Sequence, residues 1–201
     1  MNSEIAIKQL KELKKLISKH PESPRLAAEG WKEEWQTLIA IMLSAQTRDT
    51  KTIEVSNKLF KKYKTLKKLG NANIKEIENE IKSINYYKTK ARHIKETAKI
   101  LSKIKMPETI EELIKLPGVG RKTANVFLVE ARNAPVIGVD THLSFVSQYL
   151  KWSKNKNPYK IEMDLQKIFP KRYWNKINYI VVSFGQLYNK REQKEILDKI
   201  K

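Results

Sequence analysis

Lys122 follows a glycine pair in Leu116-Pro117-Gly118-Val119-Gly120-Arg121-Lys122-Thr123-Ala124, and both the residue types and their spacing suggest chemistry. The Pro117-Gly118-Val119-Gly120 run ends one helical pattern and Arg121 opens the next, which makes a tight helical hairpin. Its glycines allow positive φ and close approach of the backbone to a ligand. N–H groups of such a turn, and of the helix it opens, lack intrahelical acceptors and favour an anion such as phosphate. Lys122 falls on that first turn, where the helix dipole and the charge of Arg121 both disfavour the ammonium. An ordinary lysine, with a pKa of about 10.4, is protonated and not nucleophilic, so a lowered pKa is what an attacking lysine needs. The same residue could serve equally well as a surface phosphate contact; position alone leaves both roles open. Asp140, in Val139-Asp140-Thr141-His142, opens a further helical pattern. An aspartate there is an ordinary N-cap. Beside a reactive lysine, its carboxylate could also stabilise developing positive charge and shuttle a proton. His142, a lone histidine, fits a structural role better than a catalytic one.

The surrounding chain is strongly basic. Its 201 residues carry 41 Lys and Arg against 22 Asp and Glu, a net charge of +19. The self-repulsion this costs would be relieved by a polyanionic partner, with nucleic acid first and an anionic membrane surface second. A lysine-rich surface serving only solvation is the bland alternative. No run approaches about 18 consecutive apolar residues, so no membrane span is expected, and the N-terminus lacks the apolar stretch of a signal peptide. The sequence contains no cysteine, which excludes disulfides, a thiol nucleophile and cysteine-ligated zinc or iron–sulfur. His20, His93 and His142 have no ligand spacing, so no metal site is expected.

The elements that must position these residues are helices. Ser3 is the expected cap of a first helix bearing Ile7, Leu10, Leu13 and Ile17 on one face, broken over residues 20–24. A second is expected from Lys32 to Ala45, with Trp35, Leu38, Ile39 and Met42 inward; Asp49 or Thr50 caps a third with Ile53, Leu59 and Phe60. Ile74, Ile77, Ile81 and Ile84, then Ile94, Ala98 and Leu101, keep the helical period. Pro107 is expected in the first turn of the helix before the hairpin. After an extended apolar segment at 134–139, Asp140 caps a helix carrying Phe145, Val146 and Tyr149; Ile161, Leu165 and Ile168 mark another, and Ile177 to Phe184 lie in a last apolar one. A basic tail over 189–201 is read as a short or frayed helix. No sustained period of two occurs, so the predicted class is all-α.

Leu116 to Asn125, Val139 to His142 and Leu43-Ser44-Ala45-Gln46-Thr47-Arg48-Asp49, in that order and spacing, resemble the endonuclease III branch of the helix-hairpin-helix DNA glycosylases. The resemblance spans roughly Trp35 to Phe184. It implies two all-α lobes with a DNA cleft: a six-helix lobe over residues 27–134 that contains the hairpin, and a second helical lobe built from residues 1–26 plus 135–201. It implies Lys122 as the amine that attacks C1′ of the damaged nucleotide and Asp140 as the carboxylate that assists base loss and proton transfer. Leu116, Gly118, Val119, Gly120, Arg121 and Thr123 become DNA contacts, and the hairpin carbonyls from Gly118 to Gly120 an expected seat for a monovalent cation. Gln46 fills the space left by the flipped base; Ser44, Asp49 and His142 fall at the lesion pocket. The implied activity is that of a bifunctional glycosylase and abasic-site lyase for oxidised pyrimidines in double-stranded DNA, working as a monomer in the cytoplasm on nucleoid DNA. An 8-oxoguanine or mismatched uracil or thymine specificity, or a non-catalytic binding module, are the alternatives.

Two departures stand out. The branch usually ends in an iron–sulfur loop, Cys-x6-Cys-x2-Cys-x5-Cys; here Asn189 stands where the first cysteine would, so no cofactor is expected. The tail residues Lys190, Arg191, Lys194, Lys199 and Lys201 are read as supplying part of the missing DNA contact. In Asn85-Tyr86-Tyr87 the branch's glycine and wedging leucine are replaced, leaving Tyr86 to wedge by stacking or to pack at the loop edge.

Overall fold

Every residue from Thr37 to Leu43 is buried, more than one apolar stripe would require, so the helix that holds them is a core element. A computed structural model describes residues 2–20 and 25–201. Among these the elements are α1 (Ser3–Lys19), α2 (Glu34–Ser44), α3 (Asp49–Lys62), α4 (Leu66–Asn71), α5 (Ile74–Ile81), α6 (Tyr87–Leu101), α7 (Ile110–Leu113), α8 (Arg121–Arg132), α9 (Thr141–Tyr149), α10 (Pro158–Ile168), a 3-10 turn (Lys171–Tyr173), α11 (Trp174–Leu187) and α12 (Lys190–Ile200). The described residues contain no strand, as the all-α reading requires. They fall into two compact units, Arg25–Arg132 and Met1–Pro24 with Asn133–Lys201. Of the break expected at 20–24, residues 21–24 lie outside the described residues.

In the unit Arg25–Arg132, α2 packs against α3, α6 and α8, and α6 against α4 and α5. Leu38, Ile39, Leu59, Ile77, Ile94 and Phe127 are fully buried there, each contributing roughly 1.5–3 kcal/mol of apolar burial. Ile53 is only half-buried; Val55 takes the inward place on α3. The other unit has its own core. Leu10 and Leu13 of α1, Leu143 and Val146 of α9, Ile161 and Leu165 of α10, and Ile177, Val181 and Phe184 of α11 form one cluster. Trp152 and Phe169 meet edge to face at 5.0 Å, and Trp152 Nε1 donates to Gln9 Oε1 at 2.7 Å.

Several helix starts differ from expectation by local competition. Asn2, not Ser3, caps α1, its Oδ1 accepting from Glu4 N at 2.9 Å; both types are good caps, so the sequence does not choose between neighbours. Arg48 holds the N-cap position of α3, ahead of Asp49 and Thr50. Pro107 precedes its helix: the Thr109–Glu112 capping box supplies two reciprocal bonds and fixes the start of α7 at Ile110. The segment 134–139 joins no strand.

The tail is a docked helix. Asn189 caps α12 through bonds from Arg191 N and Glu192 N, and Leu197 is fully buried. Gln193 Nε2 donates to Gly185 O at 3.1 Å and Tyr188 O at 2.6 Å, and Tyr149 Oη donates to Asp198 Oδ1 at 2.9 Å.

Candidate active site

The hairpin between α7 and α8 is held from behind by α6. Gly118 has φ +76°, and a Cβ there would lie 2.7 Å from His93 Nδ1 and 2.8 Å from His93 Cβ. One turn further on, Thr97 Oγ1 donates to Pro117 O at 2.9 Å. Leu116 and Val119 are 5% exposed, so their side chains anchor the turn and only their backbone is available to a ligand. Gly120 differs: its φ is not positive, and a Cβ there would meet nothing within 4 Å. Only Gly118 is therefore demanded by conformation; Gly120 leaves an open face. We expect Gly118→Ala to cost at least about 1–2 kcal/mol in urea unfolding, since it combines a left-handed φ with a clash. Gly120→Ala should stay within about 0.5 kcal/mol of the parent. Equal losses would contradict this division.

Gly120 O accepts from Ala124 N at 2.9 Å, which opens α8. Ala124, Asn125, Phe127 and Leu128 form the buried face of α8. Thr123 is half-buried, and Arg121 and Lys122 are exposed on the first turn. The amine is thus carried on a rigidly seated helix start beside an accessible backbone turn.

Two further turns belong to the same unit. Ser44 ends α2, its Oγ donating to Ile41 O at 2.9 Å. Gln46 follows with φ +55°, and Tyr86, at the N-cap of α6, has φ +58°. Such backbone costs roughly 1–2 kcal/mol per non-glycine residue. Asn85 Nδ2 donates to Gln46 O at 2.7 Å, so these two turns, distant in sequence, meet. Tyr86 is 66% exposed, the most exposed large apolar side chain among the described residues. Asp49 is half-buried at the start of α3, where its charge suits the helix dipole.

Lys90, missed at the level of sequence, lies behind this pair. It is 8% exposed, and its Nζ donates to Leu43 O at 2.7 Å, Ala45 O at 2.6 Å and Thr47 Oγ1 at 3.3 Å. Its signal was a lysine on the inward face of α6, four residues before buried Ile94. Burial pulls its pKa down from 10.5 to about 8. Below about 8 folded and unfolded chains both hold this proton, and the fold bears the whole cost of burying the charge. Between about 8 and 10.5 the unfolded chain binds more protons, so stability rises with pH. The melting temperature of the parent minus that of Lys90→Met should therefore increase across that window; a flat difference would count against it.

Asp140 and His142 belong to the other unit. Asp140 is the N-cap of α9, with Oδ1 accepting from Leu143 N at 2.8 Å. The capping role is thus present, but it engages one oxygen of a carboxylate that has two. His142 is half-buried against α11: a Cβ on Gly185 would lie 2.0 Å from its Nδ1. Lys190 of α12 sits with Nζ 3.7 Å from the Phe145 ring centroid. Burial lowers its pKa, the Asp140 charge opposes this, and Lys194 adds to the lowering.

The residues present do not fit an iron–sulfur cluster. There is no cysteine, and Asn189, at the first cysteine's place, caps α12 instead. Among the described residues no group of three or more His, Cys, Asp or Glu is arranged to hold a metal. No described helix is long and apolar enough to cross a membrane.

The family model of the HhH-GPD superfamily base excision DNA repair proteins matches residues 39–171. Endonuclease III of Thermotoga maritima is 39% identical over 155 residues, covering 76% of this chain and 73% of the relative. The chain belongs to the endonuclease III family of that superfamily. Endonuclease III of Bacillus subtilis is 35% identical to this family member over 162 residues, covering 79% of the chain and 74% of the relative. The solved structure of a trapped endonuclease III–DNA covalent intermediate, an estranged-adenine complex, matches this endonuclease III homologue with TM-score 0.84 and 33% identity. It covers 94% of this chain and 88% of that one.

Proposed function

We propose that this chain is a bifunctional DNA glycosylase and abasic-site lyase that removes damaged bases, chiefly oxidised pyrimidines, from double-stranded DNA, with Lys122 as the attacking amine. The observation that carries this is an exposed lysine on the first turn of α8, directly after an anion-favouring hairpin, in a member of the endonuclease III family. The net charge of +19 supports a polyanionic partner.

A C1′ atom inside the base stack cannot be reached, so the nucleotide first rotates out of the duplex. Gln46 fills the vacated space and Tyr86 wedges the neighbouring step. Ser44 and Asp49, and in the other unit His142, are assigned contacts with the damaged base. The backbone N–H groups of the turn, with Arg121 and Thr123, hold the phosphates, and the carbonyls from Gly118 to Gly120 would hold a monovalent cation whose charge would add to that attraction. Lys122 Nζ, having given up its proton for the attack, then bonds to C1′ as the glycosidic bond breaks and the base leaves with that electron pair. Opening of the sugar ring gives an imine. Loss of a C2′ proton expels the 3′ phosphate by β-elimination, and water hydrolyses the imine to free the lysine. Asp140 stabilises the positive charge that builds on the sugar and exchanges protons with it. We assign this chemistry to a monomer acting on nucleoid DNA in the cytoplasm, with residues 27–134 as one lobe and residues 1–26 plus 135–201 as the other.

Borohydride trapping on a panel of duplexes, each with one lesion, tests the assignment. Covalent capture on an oxidised pyrimidine, ahead of 8-oxoguanine or mismatched uracil, is expected. Capture on 8-oxoguanine first would move the specificity, and binding without capture on any duplex would leave a non-catalytic binding module.

The exposed charges of α12 are proposed DNA contacts in place of the cluster loop. Because Leu197 is buried, truncation would disturb the core, so charge removal is the cleaner test. Changing Lys190, Arg191, Lys194 and Lys199 together to Gln should flatten the slope of log K against log salt by about two to three units and leave the fold intact. An unchanged slope would remove α12 from the interface.

A further inference from the structure

Among the described residues Lys90 is the best-buried cation that the mechanism does not use, and its bonds converge on one turn. The last carbonyls of any α-helix lack intrahelical donors. At the end of α2 two of these, Leu43 O and Ala45 O, turn to the Lys90 Nζ, with Thr47 Oγ1 as a third acceptor. An ammonium has three donors, so one side chain gathers both sides of the Gln46 turn. The next carbonyl, that of Gln46, is taken by Asn85 Nδ2 at 2.7 Å. Asn85 directly precedes Tyr86, and Gln46 and Tyr86 both hold left-handed backbone. Strained conformations persist only where the surroundings fix them; here the Lys90 and Asn85 side chains hold the Gln46 turn from both flanks and tie it to the segment that opens with Tyr86.

We propose that Lys90 and Asn85 are positioning residues that lock the Gln46 turn and the Tyr86 turn into one preformed element for invading the duplex. This rests on the assignment of Gln46 and Tyr86 as DNA contacts. The lock spares the enzyme from ordering two loops at the moment of base extrusion, when binding energy is needed to unstack the duplex. It is needed only where there is an opposite strand to hold apart.

The test compares single-turnover borohydride trapping on an abasic site in duplex and in single-stranded DNA. It uses the full chain and the variants Lys90→Met, Lys90→Arg, Asn85→Ala and Gln46→Ala, with hydrogen exchange of amides 45–48 measured alongside. Lys90→Met should slow duplex trapping about a hundredfold while single-strand trapping stays within about threefold, and amides 45–48 should exchange faster. Lys90→Arg, which keeps donors, should recover part of the rate. Asn85→Ala, an exposed change that spares the core, should show a smaller loss confined to duplex. Equal losses on both substrates, or an unchanged duplex rate and unchanged exchange, would overturn the proposal. Should Gln46→Ala keep its full duplex rate, the assignment of Gln46 fails, while exchange in the Lys90 variants still reports whether the turn is locked.

Discussion

Lys122→Gln should abolish covalent trapping and strand nicking, a loss on the order of a thousandfold or more, while lesion DNA is still bound. Glutamine keeps much of the length and the polarity of the side chain but has no basic amine, so it cannot bond to C1′. Lys122 is exposed, and its helix is anchored by Ala124, Asn125, Phe127 and Leu128 on the opposite face. Stability should therefore stay within about 0.5 kcal/mol of the parent. Gel analysis of trapped and nicked product, with a binding isotherm and a urea melt on the same variant, checks all three. A variant that still traps would move the nucleophile elsewhere; one that fails to bind would recast Lys122 as a phosphate contact.

Asp140→Asn is the second large effect, and the geometry makes it unusually clean. The carboxylate caps α9 through Oδ1. Asparagine caps about as well as aspartate, so the helix start should lose almost nothing, whereas alanine costs about 1 kcal/mol. What the amide removes is the negative charge and the oxygen proposed to exchange a proton. Single-turnover base release should fall about 10²–10⁴-fold. Equal activity for Asp140→Asn and the parent, with a loss only in Asp140→Ala, would reduce the residue to its capping role.

What the sequence displays depends on how local each feature is. The hairpin is legible because glycine conformation, helix opening and Lys122 all lie within one short run. The helix α2 is legible from its apolar density, although its full burial exceeds the single face that Trp35, Leu38, Ile39 and Met42 suggest. The Lys90 lock is not legible, since its carbonyl acceptors lie 45 and 47 residues away and any backbone offers the same oxygen. Nor is the seat of Lys190: a lysine in a basic tail looks solvated until α12 docks and brings it onto Phe145 and within the field of Asp140. Gly185 appears as mere punctuation after an apolar helix, yet it makes room for the His142 ring. Where two good caps adjoin, as at Asn2 and Ser3, only the folded backbone selects one.

The most direct measurement is peptide mapping by mass spectrometry after borohydride reduction of the full chain on a duplex carrying one oxidised pyrimidine. The sugar remnant should be found on Lys122. A remnant on Lys190 or any other amine, or no covalent remnant while the base is still released, would contradict the assignment of Lys122 as the nucleophile.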